Sequence, residues 1–226
     1  MTRGFFITGT DTGVGKTWVT LGLLNALAAV GYRTAAMKPV ASGVIETPEG
    51  LGNEDALLLQ QHASVPLAYD VVNPYLFVPP IAPHLAAQRA GRRIEIAHIK
   101  KVFDEIAAQA DCVVVEGAGG WCVPLNEHET IADLAVALGL PVVLVVGMRL
   151  GCLNHALLTC ESIARCGAPL AGWVANTVTP EFAEIEENIA ALEERITAPL
   201  IGVVPHLPTL DVRQVGKVLR VEKLLR

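Results

Sequence analysis

The chain has 226 residues, a length that suits one α/β domain and leaves little room for a second. Hydrophobic residues make up 52% of it and charged residues 18%, enough apolar material for a core covered on both faces of a parallel sheet. Seventeen Lys and Arg against 23 Asp and Glu give a net charge of −6, which excludes a broad basic face for nucleic acid and leaves any anionic ligand to local groups.

The predicted elements alternate strand and helix from the start. A short strand over 5–8 runs into a glycine loop, and a helix follows over 16–30. That helix is apolar almost all round, so it is expected to be buried, and Gly31 suits its C-terminal cap. Residues 34–37 read as a second strand, stopped by Pro39. Residues 41–53 contain three glycines and read as a loop, whose last residue, Asn53, can cap a helix over 54–62. The stretch 65–83 holds five prolines and is the least regular. Helical patterns cover 83–90 and 95–109. A strand over 112–115, a loop over 117–120, a helix over 130–138 and a strand over 142–146 come next. A helix over 151–166, a strand over 170–175, an amphipathic helix over 181–196 and a strand over 200–204 complete the pattern. Some basic and leucine character over 215–226 suits a short closing helix. Strands spaced by helices of this length predict a doubly wound, mostly parallel sheet flanked by helices, with right-handed crossovers, in a single domain over 1–226.

Five cysteines, Cys112, Cys122, Cys152, Cys160 and Cys166, form no C-x-x-C pair, and most lie in apolar runs. They read as small hydrophobes of a reduced, cytoplasmic protein without disulfides or zinc. Residues 4–7 are too short for the apolar part of a secretion signal. The most apolar stretch, 134–150, is broken by Gly139, Pro141 and Gly147, so it reads as a helix end and a buried strand and predicts no membrane span. The six histidines show no metal-ligand spacing, and His84 and His155 sit near predicted helix starts, where capping or surface roles fit.

The strongest motif is Gly9-Thr10-Asp11-Thr12-Gly13-Val14-Gly15-Lys16-Thr17, entered by a strand and left by a helix. Its glycines let successive backbone N–H groups curl round a phosphate, and the helix N-terminus adds a favourable dipole. Lys16 can reach the β- and γ-phosphates, and the Thr17 hydroxyl can bind Mg²⁺. The spacing departs from G-x-x-x-x-G-K-S/T, because the first glycine would fall at Thr10 and Gly9 lies one residue earlier.

Glu116 follows the apolar run 112–115 and precedes three glycines within 117–120. An acid at the carboxyl end of a buried strand faces the crevice where open α/β sheets bind ligands, and Mg²⁺ takes one or two carboxylates with phosphate and water. Asp55, in the first turn of its helix, reads on spacing alone mainly as a complement to the helix dipole. Lys38 precedes Pro39, which favours extended backbone, so it emerges at a strand end either as a second site lysine or as a surface one. Asn176 either turns the chain or pairs with adenine; the run Asn176-Thr177-Val178-Thr179 lacks the lysine and aspartate of the guanine-selective N-K-x-D signature, which favours ATP.

Taken together, Gly9 to Thr17, Lys38-Pro39-Val40-Ala41-Ser42-Gly43, Val115-Glu116-Gly117-Ala118-Gly119-Gly120-Trp121, Leu150-Gly151-Cys152-Leu153-Asn154-His155 and Gly172-Trp173-Val174-Ala175-Asn176 resemble the dethiobiotin synthetase family in order and spacing. The phosphate loop alone is shared with many NTPases; its combination with K-P-V-x-S-G and E-G-A-G-G is far more specific. The resemblance implies an ATP-dependent ligase that carboxylates 7,8-diaminononanoate with CO₂ and closes the ureido ring, giving dethiobiotin, ADP and phosphate through a carbamic–phosphoric anhydride. It implies catalytic roles for Lys16 and Lys38, and Mg²⁺ held by Thr17, Asp55 and Glu116. It implies ATP contacts from Gly13, Val14, Gly15, Lys16, Thr17, Trp18, Asp55, Glu116, Gly117, Ala118, Gly119, Asn176, Thr177, Pro205, His206 and Leu207. For the substrate it implies Thr12, Lys38 and Ser42, with Gly151, Leu153 and Asn154 reached from the other subunit of a homodimer. Two positions depart from the pattern: some relatives carry glutamate at Gly13, and relatives often carry lysine at Arg149, where the charge is kept but not the geometry.

Two other classes share the loop. Dimerising ATPase switches that position chromosomes or septa usually carry a lysine where this chain has Asp11. ATP-dependent amidotransferases of the cobyrinate type need a glutaminase domain, for which 226 residues leave no room.

Overall fold

Side chains alternate between the two faces of a strand, so a strand buried on both faces must be apolar at every position. Phe5 and Ile7 point to one core cluster and Phe6 to another; Cys112 and Val114 join the first, Val113 and Val115 the second. The computed structural model describes residues 3–180 and 182–225. In chain order it contains β1 (Arg3–Gly9), α1 (Lys16–Ala29), β2 (Thr34–Met37), β3 (Val40–Ser42), β4 (Ile45–Thr47), β5 (Gly50–Gly52) and α2 (Glu54–His62). Then come α3 (Tyr69–Val72), β6 (Tyr75–Phe77), α4 (Pro83–Arg89), α5 (Ile96–Ala107), β7 (Cys112–Gly120) and α6 (Ile131–Leu138). The last third holds β8 (Val142–Met148), α7 (Cys152–Arg165), β9 (Leu170–Thr177), α8 (Ile185–Glu193), β10 (Leu200–Val204) and α9 (Val212–Val218), with a 3₁₀ turn at Val221–Lys223.

Six strands form the central sheet in the order β10-β9-β8-β1-β7-β2, all neighbours parallel. β1, the first strand, thus lies inside the sheet, and the loop that leaves it opens between β7 and β8. Helices cover both faces. α1 and α9 pack on one, so closely that a Cβ at Gly22 would fall 2.4 Å from Val215. α5 lies on the other, burying Ile96, Ile99, Phe103 and Ile106 at helical spacing. Burying four such side chains contributes several kcal/mol, at roughly 1.5–3 kcal/mol each.

The predicted doubly wound sheet is present, with local corrections. The segment 41–53, expected as a loop, contains the hairpin β4–β5 and part of β3, which pairs in parallel with β6. Residues 117–120, also expected as a loop, belong to β7; but β1 advances from Ile7 to Gly9 while β7 advances from Glu116 to Gly120, so the excess residues bow out of the ladder around Gly119 (φ 65). Asn176 lies within β9, which runs on to Thr177. The helix expected over 181–196 is α8, from Ile185; Glu181 lies outside the described residues. The closing segment expected over 215–226 divides into α9 and the 3₁₀ turn, and Arg226 also lies outside them.

Candidate active site

The loop between β1 and α1 is shaped by two left-handed glycines, Gly13 (φ 72) and Gly15 (φ 83). Val14 between them is fully buried, against Gly9 of β1 and Gly147 of β8, where a Cβ would come 2.6 and 2.9 Å from it. Asn176 secures the same turn from β9: its Nδ2 donates to the Val14 carbonyl at 2.8 Å and lies where a Cβ on Gly15 would be, 2.1 Å away. Lys16 starts α1, and its Nζ donates to the Asp11 carbonyl at 3.1 Å. Burial pulls the Lys16 ammonium down to about 8, against the opposing pull of the Glu116 carboxylate.

Lys38 follows the last residue of β2, and its Nζ is 2.5 Å from Glu116 Oε1 and 3.3 Å from Asp55 Oδ2. Burial disfavours its charge, but the Glu116 and Asp55 carboxylates overcome that and hold the ammonium above its ordinary range. Glu116, fully buried in β7, also accepts the Thr17 hydroxyl at 3.0 Å on the same oxygen. Among the described residues its other oxygen, Oε2, is buried without a hydrogen-bond partner, as is Ser42 Oγ. A buried polar atom left so is costly, and a water, an ion or a ligand can satisfy it. Asp55 reaches the cluster because Asn53 caps α2.

A cavity of about 480 Å³ opens in front of Lys38, lined among others by Thr12, Ser42, Asp55, Ala118, Gly119 and Val123. On the far side of the phosphate loop, Gly13, Gly15, Trp18, Asn176, Pro205 and His206 help line a second cavity of about 330 Å³, which Thr177 and Leu207 complete. A third cleft, about 420 Å³, runs between Thr10–Thr12, the turn after β7 at Trp121 and Cys122, and Leu158 of α7. Ala118 and Gly119 therefore face the Lys38 cavity, and Gly117 packs its open side against Phe6 and Ile131. Gly151, Leu153 and Asn154, at the start of α7, line none of these three spaces.

Sequence reasoning passed over two features. Arg149 pairs with Asp11 Oδ2 at 2.5 Å, tying the end of β8 to the phosphate loop. Asn73, 3% exposed, lies behind Lys38 and bonds to its backbone. A lone asparagine before Pro74 carries no pattern that singles it out.

Curated relatives match nearly the whole chain. The ATP-dependent dethiobiotin synthetase of Pseudomonas aeruginosa (strain UCBPP-PA14) is 55% identical over 222 residues, spanning 94% of this chain and 97% of its own. That of Escherichia coli (strain K12) is 50% identical over 207 residues, spanning 92% of each. This chain belongs to the dethiobiotin synthetase family. A family model described as an AAA domain matches residues 3–214, and so covers the phosphate loop of this synthetase and its whole central sheet. Among solved structures, the septum site-determining protein MinD with Mg-ADP from Pyrococcus horikoshii aligns at TM-score 0.60 and 16% identity, covering 99% of this chain and 89% of that one. A ParA family ATPase from Chlorobium tepidum aligns at 0.55 and 16%, covering 99% of both. At that identity the likeness speaks for the fold.

Proposed function

We propose that this chain carboxylates 7,8-diaminononanoate and closes its ureido ring at the expense of ATP, with the chemistry centred on Lys38. One observation carries the reading: the Lys38 ammonium stands beside Glu116 and Asp55, at the mouth of a cavity that borders the phosphate loop at Thr12. An amine of the substrate attacks CO₂ and loses a proton, giving a carbamate. A carbamate oxygen attacks the γ-phosphorus and ADP departs. The second amine then attacks the carbamoyl carbon, the ring closes and phosphate leaves. Phosphoryl transfer of this kind depends on positioning and charge neutralisation. Lys16 serves the phosphates, Lys38 holds the carbamate and the charge developing on the anhydride, and the unpartnered Ser42 hydroxyl orients it with Thr12.

The hydroxyl of Thr17 with the carboxylates of Asp55 and Glu116 is a hard-oxygen set that suits Mg²⁺, and the orphaned Oε2 of Glu116 fits a cation. When bound there, Mg²⁺ supplies positive charge to the β- and γ-phosphates. The cavity of Trp18, Asn176, Thr177, Pro205, His206 and Leu207 receives the adenine. Two copies pair, with the start of α7 at Gly151, Leu153 and Asn154 facing the partner's substrate carboxylate; Leu150, 93% exposed, and the exposed Leu158 give that region an apolar surface. Among the described residues no helix is long and apolar enough to cross a membrane; small diffusible substrates and ATP suit work in the cytoplasm.

Purified protein given the diamine, bicarbonate and MgATP should release phosphate only when all three are present; release that ignores the diamine would overturn the reading. Lys38→Ala should lose about 100-fold or more in turnover while ADP affinity changes little, because the residue acts on charge formed in the reaction. Loss of ADP binding in that variant would refute the role given to Lys38.

A further inference from the structure

The proposed reaction needs Lys38 and Asp55 at a fixed spacing, yet one follows a strand and the other opens a separate helix. The connection between them lies behind the site. Asn73 Nδ2 donates to the Lys38 carbonyl at 2.6 Å and to the Tyr75 carbonyl at 3.3 Å. Asn73 Oδ1 accepts the Tyr69 hydroxyl at 3.1 Å, and the Tyr69 oxygen in turn accepts the Asn53 backbone N–H at 2.7 Å. The Asn53 side chain then divides. Its Oδ1 accepts the Ala56 N–H at 3.3 Å, capping the turn that carries Asp55, and its Nδ2 donates to the Gly43 carbonyl at 3.0 Å, one residue beyond Ser42. The Lys38 N–H also donates to the Val72 carbonyl at 2.8 Å, so the last residue of α3 and Asn73 just after it hold Lys38 from both sides of its Cα.

The hydrogens of this chain have one arrangement. Asn73 faces two carbonyls with its amide nitrogen, so its oxygen must face Tyr69. The Asn53 N–H can only donate, so the single Tyr69 proton must go to Asn73. A network satisfied in only one way holds its members at one separation. Neither Tyr69 nor Asn73 lines the cavity at Lys38.

We propose that Tyr69 and Asn73 are positioning residues for the ligase reaction: acting through Asn53, they set the distance between the Lys38 ammonium and the Asp55 carboxylate, and with it the register between carbamate and metal sites. The proposal rests on the function assigned above.

Tyr69→Phe removes one hydroxyl and leaves the ring. In the full-length protein, kcat should fall about tenfold while the KM for ATP stays within about twofold, since sub-ångström misplacement acts on the reaction more than on binding. By calorimetry, the gain in ADP affinity on adding Mg²⁺ should shrink severalfold, because Asp55 has lost its fixed place. Val71→Ala, a packing change on α3 outside the hydrogen-bond chain, should lower the unfolding temperature yet leave kcat and the Mg²⁺ effect at wild-type values. A Tyr69→Phe protein with wild-type kcat and Mg²⁺ effect overturns the proposal, and so does a loss that Val71→Ala reproduces. Should the wild type itself fail to make dethiobiotin, the functional reading fails, and the calorimetric comparison still decides whether Tyr69 holds Asp55 in place.

Discussion

Lys16 and Lys38 are both buried at one site, and their surroundings push them in opposite directions. Lys38 has two carboxylates within 3.3 Å and stays charged, whereas Lys16 bonds only to a carbonyl and its ammonium titrates near 8. A bound phosphate favours the charged Lys16, so nucleotide binding and protonation are linked. Below about pH 8 the free protein already carries the proton; above it, binding must take one up, and ADP affinity should fall by up to about tenfold per pH unit. Calorimetry in buffers of different ionisation heat measures that uptake at pH 9, and finding none would remove Lys16 from the phosphates. At this scale the sequence was legible in part. Motif and strand position marked Lys16, Thr17 and Glu116; Lys38 was also open to a surface reading, Asp55 read mainly as a complement to the helix dipole, and only the family resemblance brought both to the site. Tyr69 and Asn73 were not marked at all, because the contacts that reach the site, to Asn53 and Lys38, join residues 16 and 35 positions apart, and no local pattern records such pairings.

Elements set how far each residue has to give. Gly13 and Gly15 share a left-handed backbone, but the space around them differs. A Cβ at Gly13 meets nothing within 4 Å, whereas one at Gly15 strikes the amide of Asn176, itself held to Val14. Gly13→Ala should therefore cost about 1–2 kcal/mol of backbone strain and keep nucleotide binding. Gly15→Ala should weaken ADP binding by at least about tenfold, since the side chain bracing the loop must move. Similar affinities for the two variants would show that backbone strain, not Asn176, decides. The elements misread from sequence fail for one reason. β3, β4 and β5 span three residues each, too few for an alternation to emerge, and Gly50 (φ 124), one of the glycines that read as loop, begins β5 where the hairpin turns back. In β7 the glycines of 117–120 hide a strand whose partner is another glycine, Gly9.

In the whole molecule, the sheet order brings the carboxyl ends of β1, β2, β7, β8 and β9 round one loop, so five strands supply one site. Alternating apolar runs foretold the parallel sheet, but strand order is a matter of pairing and stood open until the register was seen. The face of the molecule beside this site carries Leu150 and Leu158, which suits contact with a second copy. Sedimentation should give twice the 24.0 kDa chain mass, and Leu158→Glu should shift the population towards single chains; an unchanged mass would move the contact elsewhere. Leu158 also forms one wall of the cleft beside Thr10–Thr12, so a copy docked on α7 would roof that cleft. Because that cleft shares Thr12 and Val123 with the cavity at Lys38, the roof would close one approach of bulk water to the mixed anhydride, whereas a solitary chain would leave that approach open to hydrolysis. On that account, dilution would not merely slow the enzyme but uncouple it, spilling phosphate without closing a ring.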